Sequence, residues 1–246
     1  MATMNNNELK YIQSFAHKKQ WDQESVFIVE GPKLLEEVMK SDWVIEKIYA
    51  TQEWLDVQSI FDAPHELIDS ILLGRISHLQ QPNQVLALVQ KKKYNSPLVL
   101  KDQITLMLDG IQDPGNVGTI IRTADWFGIQ QIIVSPDTAQ LYNPKVLQST
   151  MGSFLRVRVQ AQNLEEVLAS TKLPVYGALL NGENVFQCKM QKEGILVIGN
   201  ESKGIRPNIL PYIKHPITIP NFGQAESLNA AVATGIILGS LIKSNG

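Results

Sequence analysis

The sequence predicts an α/β protein, a small mixed module followed by a larger, mostly parallel sheet with helices on both faces. Three observations carry this. Short apolar runs of strand length alternate with helix-patterned stretches along most of the 246 residues. In the second part these runs are continuously apolar, as in strands covered on both sides. A lysine-rich stretch ending in proline, Gln90-Lys91-Lys92-Lys93-Tyr94-Asn95-Ser96-Pro97, parts the two regions. The expected domains are 1–94 and 95–246.

In the first part, Ser25–Glu30 reads as a strand. Gly31-Pro32 then turns the chain into a helix over Lys33–Lys40, where proline suits the first turn. Val44–Ala50 is β-like, Asp69–Leu79 is helical in pattern and Val85–Val89 closes the module. In the second part, strands are predicted at Ile104–Leu108, Gln131–Val134, Pro174–Leu179, Ile195–Ile198 and Pro216–Ile219. Helices are predicted near Asn116–Phe127, Asn143–Ser149, Asn163–Thr171 and Leu228–Lys243. Ligands of such sheets sit beyond the carboxyl ends of the strands, so the informative residues are expected in the loops that follow them.

A content of 44% hydrophobic and 19% charged residues suits a folded chain with a sizeable core. No apolar run approaches the ~20 residues that cross a bilayer, and the opening MATMNNNELKYIQSF lacks a signal-peptide layout. Cys188 is the only cysteine, which excludes an intrachain disulfide framework and a Cys-based zinc cluster. A reducing, cytoplasmic setting is expected, with no membrane partner. The formal net charge of −2 argues against a generic polyanion binder. Residues 1–95 carry 10 Lys+Arg against 13 Asp+Glu, and residues 96–246 carry 12 against 11. Gripping nucleic acid would therefore need a local patch or a symmetric assembly. Lys10, Lys18, Lys19 and Lys91–Lys93 are candidate phosphate contacts, or else solvated surface.

Three post-strand loops concentrate the chemistry. In the first, Asp113-Pro114-Gly115 is a turn signal, and Asn116 is suited to cap the following helix. Ile120, Ile121, Ala124 and Phe127 form that helix's buried stripe. Gly118 and Arg122 share another face, with Arg122 leaning back toward the loop; the alternative is an Arg122–Asp125 pair. In the second, Gly199 and Gly204 bracket Glu201, and free backbone amides there can hold an adenine or ribose edge; the alternative is a plain glycine turn with a solvated Glu–Lys pair. The third, Ile219–Asn229, places Ser227 and Asn229 at a helix start, where Ser227 is also a candidate cap. The small residues Ala230, Ala231, Ala233, Gly235 and Gly239 suggest close packing of that helix on another.

Together the three loops resemble those of the SpoU (TrmH) family of RNA ribose 2′-O-methyltransferases in the SPOUT superfamily. The first family motif is matched by Asn116, Gly118, Arg122 and Ala124. The second is matched by Gly199, Glu201 and Gly204, and the third by Ile219-Pro220, Gly223 and Ser227-Leu228-Asn229. They span about residues 97–246. Less specifically, Phe27–Gly31 followed by Leu34–Glu37 looks like the family's L30e-like substrate-binding domain. Asn221 departs from the family's usual methionine, and Ala230-Ala231 from a Val-Ser pair.

The resemblance implies a carboxy-terminal trefoil knot, a homodimer with its active site near the subunit interface, and S-adenosylmethionine as methyl donor. It implies cofactor-binding positions at Gly199, Ile219 and Leu228, with Leu179 at the end of another strand. It also implies catalytic roles for Asn116, Arg122, Glu201, Ser227 and Asn229. A guanidinium is always protonated in proteins, so Arg122 is expected to bind the target phosphate and stabilise a developing alkoxide rather than act as base. Ser227 and Asn229 would orient the hydroxyl, Asn116 would hold the arginine loop, and Glu201 would anchor Arg122 or the RNA-side network. No metal is expected; His17, His65, His78 and His215 are scattered and read as structural or surface. The amino-terminal domain points to ribosomal RNA as substrate, with transfer RNA, or a non-catalytic RNA-binding protein of the same fold, as alternatives.

Overall fold

The computed structural model describes residues 4–58, 61–94, 96–189 and 191–242, and its chain divides into two compact units. The first comprises residues 1–95 together with Tyr142–Gln148. It opens on α1 (Asn6–Ser14), capped by the Asn5 side chain, which accepts from the Glu8 amide at 2.9 Å, and α2 (Lys18–Gln23). Then come β1 (Val26–Glu30), α3 (Pro32–Met39), β2 (Ile45–Ala50), α4 (Gln52–Asp56), β3 (His65–Leu67), α5 (Ser70–Ile76) and β4 (Val85–Gln90). Gly31 precedes α3 at φ +95°, a conformation that favours glycine, and Pro32 opens the helix. Asp69 caps α5 by accepting from the Leu72 amide.

The strands of this unit form a sheet in the order β1-β4-β2-β3, in which β4 runs antiparallel to both neighbours and β3 parallel to β2. Ile12, Phe15, Ile28, Tyr49, Ile76 and Leu86 make its core. The short elements α1, α4 and β3 carry too few apolar residues to stand out in the sequence pattern; α1 buries only Leu9 and Ile12. The Tyr142–Gln148 segment belongs here through the Tyr142 ring, 4.7 Å from that of Phe27, and through Gln148, whose Nε2 donates to the Glu30 carbonyl at 2.9 Å.

The second unit comprises residues 96–141 and 149–246. Its elements are β5 (Ile104–Asp109), α6 (Pro114–Trp126), β6 (Gln131–Val134), the end of α7 (Pro144–Thr150), β7 (Arg158–Ala161), α8 (Leu164–Ser170), β8 (Val175–Asn184), β9 (Gly194–Gly199), β10 (His215–Thr218) and α9 (Ala230–Ile242). Every strand pair is parallel, in the order β10-β8-β9-β5-β6-β7. All carboxyl ends therefore lie along one edge. The five strands expected from the sequence are present. The additional strand, β7, is a polar edge strand whose pattern gives no apolar run. β8 extends to Asn184, five residues past Leu179. Gly182 permits this, since a Cβ there would stand 2.6 Å from the Pro216 carbonyl.

α6 buries Val117, Gly118, Ile120, Ile121 and Ala124, while Phe127 is its half-buried C-cap. α9 lies against α6 as its small residues suggested. Added Cβ atoms at Gly235 and Gly239 would meet Thr123 and Phe127 side chains at 3.9 and 3.6 Å. No helix among the described residues is long and apolar enough to cross a membrane.

Candidate active site

The loops after β9 and β10, the carboxyl end of β8 and the start of α9 enclose a cleft of about 910 Å³ within the second unit, and the segment after β5 joins its edge through Asn116. Its walls include Leu179, Gly199, Glu201, Ile219, Ser227 and Leu228. All four residues expected to hold a cofactor thus lie on one cavity, of a size that suits a nucleoside-sized ligand.

The second loop leaves β9 through Gly199, where even a methyl group would collide with main chain: a Cβ would be 2.4 Å from Gly204 C and Ile205 N. Gly204 turns the loop back at φ +68°, and the Asn200 and Gly204 backbones exchange two hydrogen bonds of 3.1 and 2.8 Å. Asn200 organises the interior. Its Oδ1 accepts from the Ser202 and Lys203 amides at 3.0 and 3.1 Å, and its Nδ2 donates to the Gly110 carbonyl at 2.8 Å. Of the backbone amides in this loop, those of Ser202 and Lys203 are therefore already used.

Asn116 joins the three loops. Its Nδ2 donates to Glu201 Oε1 at 2.5 Å, and its Oδ1 accepts from Asn229 Nδ2 at 2.8 Å. Glu201 is thus held by Asn116, in place of a solvated pair with Lys203 or an anchor on Arg122. Asn116 is not the cap of α6. Pro114 fills the first helical position, so the chain enters one turn earlier and Asp113 caps by accepting from the Asn116 amide at 2.8 Å. Nor does Ser227 cap α9. Asn229 does, its Oδ1 accepting from Ala231 and Val232 amides at 3.0 and 3.2 Å. The Ser227 hydroxyl is left exposed, without a hydrogen bond to any described residue. Asn221, at the position of the family's usual methionine, ties its own loop by donating to the Ala225 carbonyl and accepting from the Gly223 amide.

Arg122 lies farther along α6, exposed and without a hydrogen bond or ion pair to any described residue. Asp125, its alternative partner, is occupied by Arg156, whose Nε and Nη2 donate to Asp125 Oδ2 at 2.9 and 2.8 Å. Sequence reasoning missed one further pair. Asp109, the last residue of β5, is 0% exposed, and its carboxylate is filled by Arg206. Oδ2 accepts from the Arg206 amide at 2.8 Å, and Oδ1 from its Nε and Nη2, each at 2.5 Å.

In the first unit, the three linker lysines differ. Lys91 donates to the Trp21 carbonyl and lies 4.6 Å from the Tyr142 ring centre; burial pushes its amine below the usual lysine range. Lys92 pairs with Asp42 at 2.5 Å, over the Trp43 ring. Lys93 is exposed and has no partner among the described residues. Among those residues, no three His, Cys, Asp or Glu side chains are grouped to hold a metal.

Residues 103–239 match the model of the SpoU rRNA Methylase family, and residues 6–87 that of the MRM3-like substrate binding domain. A Bacillus subtilis relative, the 23S rRNA (guanosine(2553)-2′-O)-methyltransferase RlmP, is 30% identical over 95% of each chain. A putative RNA methyltransferase of the TrmH family from Porphyromonas gingivalis superposes with a TM-score of 0.88 at 35% identity, over 97% of this chain and 98% of that one. AviRb from Streptomyces viridochromogenes, solved with AdoMet, shares the fold with a TM-score of 0.86 at 23% identity, covering 98% of both chains. The first match spans more than half of the sequence and includes every strand and loop that walls the cleft, so the chain belongs to the SpoU rRNA Methylase family.

Proposed function

We propose that this protein transfers a methyl group from S-adenosylmethionine to a ribose 2′-hydroxyl of ribosomal RNA. One observation carries the reading: the Glu201–Asn116–Asn229 chain of hydrogen bonds fixes groups from three loops at the cleft walled by Gly199, Ile219 and Leu228. The lining fits the cofactor, combining apolar walls for a nucleoside with a tightly folded Gly199–Ile205 loop whose shape the close main-chain contact at Gly199 fixes. Leu179, Gly199, Ile219 and Leu228 would hold it, and when bound it supplies an already activated sulfonium methyl.

The chain's own residues must then align the hydroxyl and stabilise the charge it develops. Ser227, exposed at the cleft wall, and Asn229 orient the 2′-oxygen. Asn116, locked between Glu201 and Asn229, keeps the first turn of α6, the helix that carries Arg122, in register. Arg122, a permanent cation with no partner among the described residues, takes the target phosphate and the developing alkoxide. The same face of α6 carries Trp126, 85% exposed, and α9 presents Val232, 51% exposed. These features support a homodimer in which Arg122 serves a site near the subunit interface. The reading includes the trefoil knot that the family resemblance implies, and a cytoplasmic location. It assigns RNA recognition to the first unit, with Lys93, Lys10, Lys18 and Lys19, all exposed, as candidate phosphate contacts.

The test is incubation with S-adenosylmethionine tritiated in its methyl group and RNA from a strain deleted for this gene. Label should enter 23S ribosomal RNA and map by mass spectrometry to one ribose 2′-oxygen. Label in transfer RNA alone, or on a base, would overturn the substrate assignment, and no transfer to any RNA would overturn the catalytic one. Asn116→Asp is expected to lower turnover about tenfold or more, because it removes the donor to Glu201 and sets two carboxylates together. Activity at or near the wild-type level across neutral pH would remove Asn116 from its linking role.

A further inference from the structure

The Asp109–Arg206 pair has no part in the chemistry proposed above, yet it closes the loop that walls the cleft. Both Asp109 oxygens are used by one residue, main chain on Oδ2 and guanidinium on Oδ1. Burying a carboxylate is costly, and an apolar pair of similar volume would serve stability as well. What a charge-assisted, forked contact adds is direction. The residues between Gly199 and Arg206 are tied to the post-β5 segment at both ends, by Asn200 on the Gly110 carbonyl and by Arg206 on Asp109. Within that span, Gly199, Glu201, Gly204 and Ile205 face the cleft. Arg206 is further engaged by Asp137, 3.5 Å from its Nη1.

We infer that Asp109 and Arg206 are positioning residues that hold the Gly199–Arg206 loop in its ligand-ready shape and so set cofactor affinity rather than the rate of the chemical step. This rests on the reading that the cleft takes S-adenosylmethionine.

The test uses the full-length protein and the variants Asp109→Asn, Arg206→Met, Arg206→Lys and the Asp109→Asn/Arg206→Met double. Calorimetric titration with S-adenosylmethionine and with S-adenosylhomocysteine should show affinity weakened about tenfold or more in Asp109→Asn, with the KM for the methyl donor rising in step. Turnover at saturating cofactor should stay within about threefold of wild type. The double variant should be no weaker than Asp109→Asn, because the two groups act as a unit. Arg206→Lys, which keeps charge but not the fork, should fall between. In the free protein, amide exchange at Ser202, Lys203 and Arg206 should quicken about tenfold or more in Asp109→Asn.

Cofactor affinity within about twofold of wild type in a folded Asp109→Asn, or a fall in turnover at unchanged KM, overturns the inference. If Asp109→Asn does not fold, Arg206→Met and Arg206→Lys decide it by the same measures, since the Arg206 side chain is 41% exposed. If wild type binds neither probe, the cofactor reading fails by itself. The amide exchange then decides the positioning role, which is overturned by unchanged rates.

Discussion

Arg122→Ala is expected to lower methyl transfer by about two to three orders of magnitude while leaving cofactor affinity within about twofold. The split follows from where the side chain stands. It is absent from the walls of the cleft, so its loss removes nothing that touches the cofactor. Its guanidinium has no partner among the described residues, and the neighbouring acid, Asp125, is held by Arg156 through a two-nitrogen contact. No internal ion pair is broken by the substitution, and the fold should be little affected. A cation kept available in this way acts when a phosphate and a developing negative oxygen arrive, so the effect belongs to turnover. Arg122→Lys should recover only a small part of the rate, because a point charge cannot reproduce a planar fork. Single-turnover rates at saturating donor, together with RNA affinity by filter binding, measure this. An Arg122→Lys enzyme with nearly full turnover and unchanged RNA affinity would remove the role.

Gly199→Ala is expected to abolish measurable cofactor binding at concentrations that saturate wild type. The new Cβ would lie 2.4 Å from two main-chain atoms, Gly204 C and Ile205 N. Main chain cannot rotate aside as a side chain can, so the loop must move bodily, at a cost of about 1–3 kcal/mol or more. Moving it displaces Gly204 and Ile205, which wall the cleft, and draws Glu201 away from Asn116. Gly204→Ala provides the contrast. At φ +68° with open space around the added atom, its cost is backbone strain alone, about 1–2 kcal/mol, with weaker binding but not its loss. Calorimetry and thermal melts of both variants separate the two effects. Full cofactor affinity in Gly199→Ala would show that the cleft is not the binding site.

The two substitutions together also test the symmetric assembly. If Arg122 of one protomer serves the cleft of its partner, mixed dimers of Arg122→Ala and Gly199→Ala chains contain one intact site in two. Co-refolding equal amounts should then restore about a quarter of wild-type activity. No recovery would place both groups within one chain.

Most of the strands and all four helices expected after residue 95 were legible because their signals are local. Continuous apolar runs such as Ile195–Ile198, and the spacing of Ile120, Ile121 and Ala124, are read within a few residues. The motif residues were legible for the same reason, since each group lies in one post-strand loop. Partner choice was not. Asn116 meets Glu201 85 positions away and Asn229 113 away, and Asp109 meets Arg206 across 97. Nothing within any one loop marks these pairs.

Local rules were also overridden where several residues competed for one task. Asp113 rather than Asn116 caps α6, and Asn229 rather than Ser227 caps α9. At Lys91 a charge that reads as solvated linker is drawn onto Trp21 and Tyr142. The sequence by itself determined the alternation of elements and the residue types gathered at the ends of the strands, because periodicity and turn chemistry act over a few residues. Only the tertiary structure decided which polar group each of them meets, because short-ranged, directional hydrogen bonds are chosen when parallel strands bring distant loops to one edge of the sheet.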